Sequence, residues 1–172
     1  MVSEILDLNR VVVVALGGNL AGDYGSCEAL LEAALARFPS VGLKILERSG
    51  WWRSAAWPDP NAPEYRNGVA LVEASSGPAA TLAALLALEA DLGRERSVRN
   101  APRTLDLDLI AWGREVVETP GLTLPHPRAH ERLFVMGPLA QIAPLWVHPV
   151  LGATAADLAA AATVGADARP MS

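Results

Sequence analysis

The 172-residue sequence predicts an α+β fold with a ferredoxin-like βαββαβ core, an antiparallel sheet within a three-layer αβα sandwich. Three observations point there. The unbroken β-branched run Arg10 to Leu16 (RVVVVAL) reads as a strand buried on both faces. Two segments with helical spacing of leucine and alanine follow the first and third strands. The intervening strands complete a split-βαβ order.

Each element has a local reason. Gly17-Gly18-Asn19 ends the first strand, and Ser26 is placed to cap a helix running to about Phe38. Leu30, Leu31, Ala34, Leu35 and Phe38 give that helix its apolar face. Pro39 and Gly42 close the segment, and a second strand is predicted from Leu43 to about Trp52. Between Ser54 and Glu64 three prolines without helical period predict an irregular loop. A third strand spans about Tyr65 to Ala74. Gly77-Pro78 then opens a second helix, proline being suited to a first turn. Leu82, Leu85, Leu86, Leu88, Glu89 and Leu92 carry it to a stop at Gly93. After an arginine-rich loop, a fourth strand runs from Leu105 to about Trp112. Glu115 to Glu118 and Leu122 to Leu124 are expected to pair across Thr119-Pro120-Gly121. Glu131 to Ile142 and Thr154 to Ala162 read as helices for the second sheet face, and the last ten residues as a frayed tail. No internal repeat or linker divides the chain. One domain, 1–172, is expected, with its core at about 10–150 and a C-terminal helix and tail at 151–172.

Composition narrows the function. Fourteen basic against 19 acidic residues give a net charge of −5, which argues against a nucleic-acid coat. A local basic site survives that balance: Arg94, Arg96, Arg99 and Arg103 lie close together in a chain whose only lysine is Lys44. Hydrophobic residues at 51% argue against disorder. No apolar run is long enough for a bilayer, and the start lacks the pattern of an export signal. A cytoplasmic protein without membrane or nucleic-acid partners is therefore expected. The single Cys27 excludes an internal disulfide framework and a cysteine-based zinc site.

The chemistry concentrates in Arg103-Thr104-Leu105-Asp106-Leu107-Asp108-Leu109-Ile110. On a strand, Leu105, Leu107 and Leu109 enter the core while Asp106 and Asp108 project together from the other face. Adjacent carboxylates repel unless a cation lies between them, and Mg²⁺ is commonly held by one or two carboxylates plus substrate phosphates. A solvated face with two unrelated aspartates fits the strand equally well. The arginines shift that balance, because guanidinium groups grip phosphate oxygens in pairs; pairing with Glu89, Asp91 and Glu95 on a surface loop is the alternative. His126, held between Pro125 and Pro127, is presented from a stiff turn, and Arg132 can add to a phosphate grip. Trp51, Trp52, Trp57, Tyr65 and Phe134 are candidate walls for a flat heterocycle, though a buried aromatic is more often core. Asn67 offers donor and acceptor side by side, matching the edge of a purine-like or pterin ring. No GxxxxGK[ST] pattern is present, which disfavours a P-loop kinase.

In this order the pieces resemble the 6-hydroxymethyl-7,8-dihydropterin pyrophosphokinase family over roughly Val12 to Pro144. Arg99-Asn100-Ala101-Pro102-Arg103-Thr104-Leu105-Asp106-Leu107-Asp108-Leu109-Ile110 is the most specific part. Ala15 to Leu20, Tyr65-Arg66-Asn67, Glu89 through Arg94, Leu124-Pro125-His126, Arg132-Leu133-Phe134 and Pro138-Leu139 support it. The resemblance implies a transferase that moves pyrophosphate from ATP to the pterin's hydroxymethyl oxygen in folate biosynthesis, releasing AMP. It implies that Asp106 and Asp108 bind two Mg²⁺ ions bridging triphosphate and acceptor. It places Arg94 and Arg96 on a loop closing over ATP, as catalytic and ATP-binding residues. Glu89, Arg103, His126 and Arg132 complete the ATP site. Ser54, Ala55, Trp57, Tyr65, Asn67, Phe134 and Asp106 form the pterin site, and a monomer is expected. Three departures stand out: Asn100-Ala101-Pro102 lacks the tryptophan common in relatives, Ser54-Ala55-Ala56 replaces Thr-Pro-Pro, and Leu86 replaces a glutamine. These predict slower or weaker catalysis. A ferredoxin-like module binding single-stranded RNA and a paralogue that binds without turnover are the competing readings.

Overall fold

Every residue of β1, Val12–Gly18, is buried, because both faces of this strand are covered by helices. The computed structural model describes residues 6–21, 24–55, 61–92 and 105–171. Around β1 the order is α1 (Cys27–Arg37), β2 (Leu43–Arg48), β3 (Trp52–Ser54), β4 (Tyr65–Ala74), α2 (Pro78–Leu92) and β5 (Asp106–Trp112). A small hairpin, β6 (Val117–Thr119) and β7 (Leu122–Leu124), then leads to α3 (Leu133–Ile142), α4 (Ala155–Ala161) and β8 (Arg169–Pro170). The main sheet runs β5-β1-β4-β3-β8, with β2 also paired to β4, and all of its pairings are antiparallel.

Alternation along the strands sorts side chains between two cores. Val12, Val14, Leu16, Leu105, Leu107 and Leu109 pack with α1 and α2. Val11, Val13, Ala15, Val69 and Leu71 pack with α3 and α4. The αβα layering expected from sequence is thus present, and so is the split-βαβ order. A register shift between β1 and β5 at Val13/Val14 places both Ile110 and Ala111 in the α3 core, as a β-bulge does. Ser26 caps α1 as expected, its hydroxyl accepting the Ala29 N–H at 3.1 Å. Gly121, at φ +87°, supplies the positive φ that the Pro120-Gly121 turn requires.

Three expectations are corrected. The strand predicted to run from Leu43 to Trp52 breaks after Arg48. There the Ser49 N–H donates to the Val69 carbonyl at 2.9 Å while its Oγ accepts the Val69 N–H at 2.9 Å, a side chain taking one of the two ladder bonds, and pairing to β4 resumes at Trp52. The helix predicted from Glu131 begins instead at Leu133, after a short 3₁₀ turn over Ala129–Glu131. The terminal residues are no frayed tail. Thr163 and Val164 donate to the Glu131 carbonyl at 3.1 and 2.9 Å, Leu133 donates to the Val164 carbonyl at 2.9 Å, and Met171 donates to Trp51 at 2.9 Å. Arg169 and Pro170 pair with β3. Backbone hydrogen bonds hold this strap, so side-chain periodicity gives no sign of it.

Candidate active site

The ends of β1, β3, β4 and β5 open into a cavity of about 770 Å³, within the size range of small-molecule sites. Register sets its floor. Gly17 lies between Asn67 of β4 and Asp106 of β5, and Ala15 between Val69 and Asp108. Asp106 and Asp108 are half-buried and both line the cavity, while Leu105, Leu107 and Leu109 are at most 5% exposed. The two carboxylates therefore share one face, as the alternation predicted. Gly17 is required where it stands: a Cβ there would come within 2.8 Å of Asn67 Oδ1. Its bare backbone lets the buried Asn67 amide lie across β1, with Nδ2 donating to Ser54 Oγ at 3.3 Å.

The opposite wall comes from α3 and the strap. Arg132, at the N-terminal boundary of α3, and Phe134 line the cavity, with the guanidinium carbon 5.8 Å from the ring centroid. Val164, Gly165, Ala166 and Asp167 complete this side. Of the residues singled out from sequence, Ser54, Ala55, Tyr65, Asn67, Asp106, Asp108, Arg132 and Phe134 line this one cavity. Glu89, half-buried near the end of α2, and His126, in the turn after β7, do not. His126 is tied to the floor strand, its N–H donating to the Ile110 carbonyl at 2.8 Å. Burial first, then the charges of Arg132 and Arg128, hold its imidazole below the usual histidine range. Its Nδ1 accepts the Arg128 N–H at 3.1 Å, so the neutral ring carries its proton on Nε2. Trp57, Arg94, Arg96, Asn100 and Arg103 lie outside the described residues.

Two aromatic candidates are engaged elsewhere. Trp51 lies on Gly68 and Trp52 on Gly137, where an added Cβ would meet ring carbons at 2.6 and 2.5 Å. Their indole N–H groups donate to Glu32 and Gln141. Burial and the neighbouring Glu28, opposed by Arg66, push the Cys27 thiol up to about 11, which keeps it protonated and poorly nucleophilic near neutrality. Sequence reasoning missed the strap's contribution to the cavity. Its only signal was a run of small residues, Gly165-Ala166, followed by an acid.

The cavity donors suit a hard cation. Its described lining holds carboxylate, amide and hydroxyl oxygens but no histidine or cysteine, a set that favours Mg²⁺ over zinc. Among the described residues no cluster of three or more His, Cys, Asp or Glu is arranged to enclose a metal by itself. A cation held by the aspartate pair would need further oxygens from outside the protein. Both sheet faces are covered by helices, so the open stacking surface needed by the RNA-binding reading is not available. No helix among the described residues is long and apolar enough to cross a membrane.

A ferredoxin-like sandwich whose cavity brings paired aspartates together with arginine, amide and aromatic side chains has the chemistry of a site for a small ring-bearing molecule and a hard cation. Residues 13–144 match the family model of 7,8-dihydro-6-hydroxymethylpterin-pyrophosphokinase, and the chain belongs to that family. It is 43% identical over 147 residues to the 2-amino-4-hydroxy-6-hydroxymethyldihydropteridine pyrophosphokinase of Synechocystis, covering 85% of this chain and 73% of the relative. The Pseudomonas aeruginosa protein of the same name is 38% identical over 77% of this chain and 80% of its own. A crystal structure of Plasmodium falciparum HPPK-DHPS superposes with a TM-score of 0.69 at 14% identity, over 94% of this chain and 47% of that longer one. That likeness shows the shared fold.

Proposed function

We propose that this cavity carries out the reaction of the family, transfer of pyrophosphate from ATP to the hydroxymethyl group of 6-hydroxymethyl-7,8-dihydropterin. The observation that carries this reading is the placement of Asp106 and Asp108 side by side on β5, across Gly17 from an amide suited to a pterin edge. Asp106 and Asp108 would hold Mg²⁺, two ions by the family resemblance; when bound, the metal would neutralise triphosphate charge and favour ionisation of the attacking hydroxyl. Tyr65 and Phe134 flank the pterin ring, Asn67 reads its edge, and Ser54, Ala55 and Trp57 border it. Asn67 is held for that task by Ser54, which fixes the amide's orientation.

Arg132, which lines the cavity, is assigned to phosphate oxygens, and His126, outside the lining but with its proton on Nε2, is assigned to the nucleotide by the family resemblance. Arg94, Arg96 and Arg103 add guanidinium groups to the triphosphate, and Glu89 lines the nucleotide side. The pterin oxygen attacks the β-phosphorus, its proton passes to solvent, and the bond from that phosphorus to the α-phosphate oxygen breaks to release AMP. The arginines stabilise charge that develops on the transferred group, a contribution of preorganised electrostatics. A monomeric, cytoplasmic enzyme is in keeping with the expected small-molecule substrates.

The test is replacement of either aspartate by asparagine, with AMP release followed in the presence of both substrates and Mg²⁺. Turnover is expected to fall by about 100- to 1000-fold, with the unfolding transition measured alongside so that a loss of fold is told apart from a loss of chemistry. Two variants that keep full turnover refute the assignment.

A further inference from the structure

The strap over residues 163–171 lies beyond the segment matched by the family, yet it joins the two walls of the substrate cavity. At one end it is bonded to the start of α3 through Glu131, Leu133 and Val164. Gly165, at φ +65°, lies against Phe134 so closely that a Cβ would sit 2.5 Å from the ring. At the other end, Arg169 and Pro170 extend the sheet from β3. Between these anchors the Asp167 carboxylate accepts the Ala55 N–H at 2.7 Å, 112 residues distant in sequence. Ala55 is an exposed residue just past β3, in the segment where Ser54-Ala55-Ala56 replaces a stiffer proline-containing one. Nothing else among the described contacts fastens that amide to the Phe134 side.

Resting on the pterin reading of the cavity, we propose that Asp167 is a positioning residue for the pterin. Its carboxylate fixes the Ala55 backbone, and the strap it belongs to sets the separation between the Ser54-Ala55 wall and Phe134. The effect is confined to one end of the site. Asp106 and Asp108 lie on β5, and the strap joins the sheet at β8, with β1, β4 and β3 between them. Asp167 lines the same cavity as the aspartates, but its bond is to the Ala55 amide at the end of β3, three strands from β5. Loss of the tether therefore frees the Ala55 wall, while the strap's backbone bonds at Glu131 and Leu133, on either side of Arg132, remain.

The experiment compares Asp167→Ala, Asp167→Asn and Gly165→Ala in the full chain by steady-state kinetics and amide hydrogen exchange. Asp167→Ala is expected to raise KM for the hydroxymethyldihydropterin about tenfold, the scale of losing a charge-assisted hydrogen bond. Its KM for ATP and its kcat should stay within about twofold, and exchange at the Ala55 amide should accelerate. Asp167→Asn keeps an oxygen that accepts the Ala55 N–H, so it should restore both readouts. Gly165→Ala displaces Phe134 and should raise the pterin KM with Ala55 exchange unchanged. An unchanged pterin KM in Asp167→Ala overturns the proposal. So does a parallel rise in both KM values that asparagine does not rescue. A wild-type chain without pyrophosphoryl transfer refutes the pterin reading by itself; unchanged Ala55 exchange in Asp167→Ala would then dispose of the tether as well.

Discussion

At the scale of single residues, His148 shows how burial fixes a protonation state. It is 5% exposed, and its Nδ1 accepts the N–H groups of Val150 and Leu151 at 3.2 and 3.0 Å. Burial, with the neighbouring His130 second, lowers its pKa from the ordinary 6.5. The neutral ring is the one the fold selects, so an unfolded chain takes up the proton first as the pH falls. This contribution to stability is complete above 6.5 and is lost as the pH drops from there through the folded value. His126 acts in the same sense. The denaturation midpoint is accordingly expected to be lower at pH 5 than at pH 7.5. His148→Asn, which keeps an acceptor for both amides, should flatten part of that slope, as measured by urea titrations at the two pH values. Asp106 and Asp108 are the opposite kind of residue. They are half-buried and line the cavity, and their replacement by asparagine is expected to lower turnover far more than it shifts the unfolding midpoint.

The secondary elements are locked by two tryptophans on adjacent positions. Successive residues of an extended chain face opposite ways, so Trp51 and Trp52 reach the two different cores. Each rests on a glycine. Trp51 is also covered by the Arg48 guanidinium, 4.9 Å from its ring, and Arg48 pairs with Glu32 of α1 at 2.7 Å. That bond, ahead of the cost of burial, lowers the Glu32 pKa. Trp52 is bonded to Gln141 of α3 at 3.2 Å. The break between β2 and β3 thus joins α1 on one face to α3 on the other. Alanine at Gly68 is expected to cost about 1–3 kcal/mol by overpacking against Trp51. Gly137→Ala meets the same clash against Trp52, and the roughly 0.5–1 kcal/mol that alanine gains over glycine in a helix or strand offsets part of it at both sites. Both variants should lower the midpoint of thermal unfolding, and an unchanged midpoint would show that the tryptophan contact yields easily.

For the molecule as a whole, the layers and the site come from the same alternation. Leucines at 105, 107 and 109 fill one core, and the aspartates between them reach the cavity. A monomer is the expectation for this chain. Sedimentation is expected to give a species near 18.1 kDa, with specific activity independent of enzyme concentration. Activity that falls on dilution would show that the site is shared.

Much of this was legible in the order of residues. Ser26, Gly121 and the Leu-Asp-Leu-Asp-Leu alternation act through neighbours a few positions away, so a cap, a turn and a two-faced strand could be read directly. The Asp106–Asp108 pair and the membership of Tyr65, Asn67, Arg132 and Phe134 in one site followed from that pattern and its resemblance to a family. Contacts between distant segments were not legible. The Ser49 side chain that breaks a strand, the glycines beneath Trp51 and Trp52, and the strap that carries Asp167 to Ala55 leave no periodicity. They depend on backbone groups and on surfaces that meet only after the sheet has formed. Local chemistry determined the elements and the shared face of the aspartate pair. Tertiary packing alone decided which aromatics stay in the core, which face the ligand, and where the chain's end closes the wall.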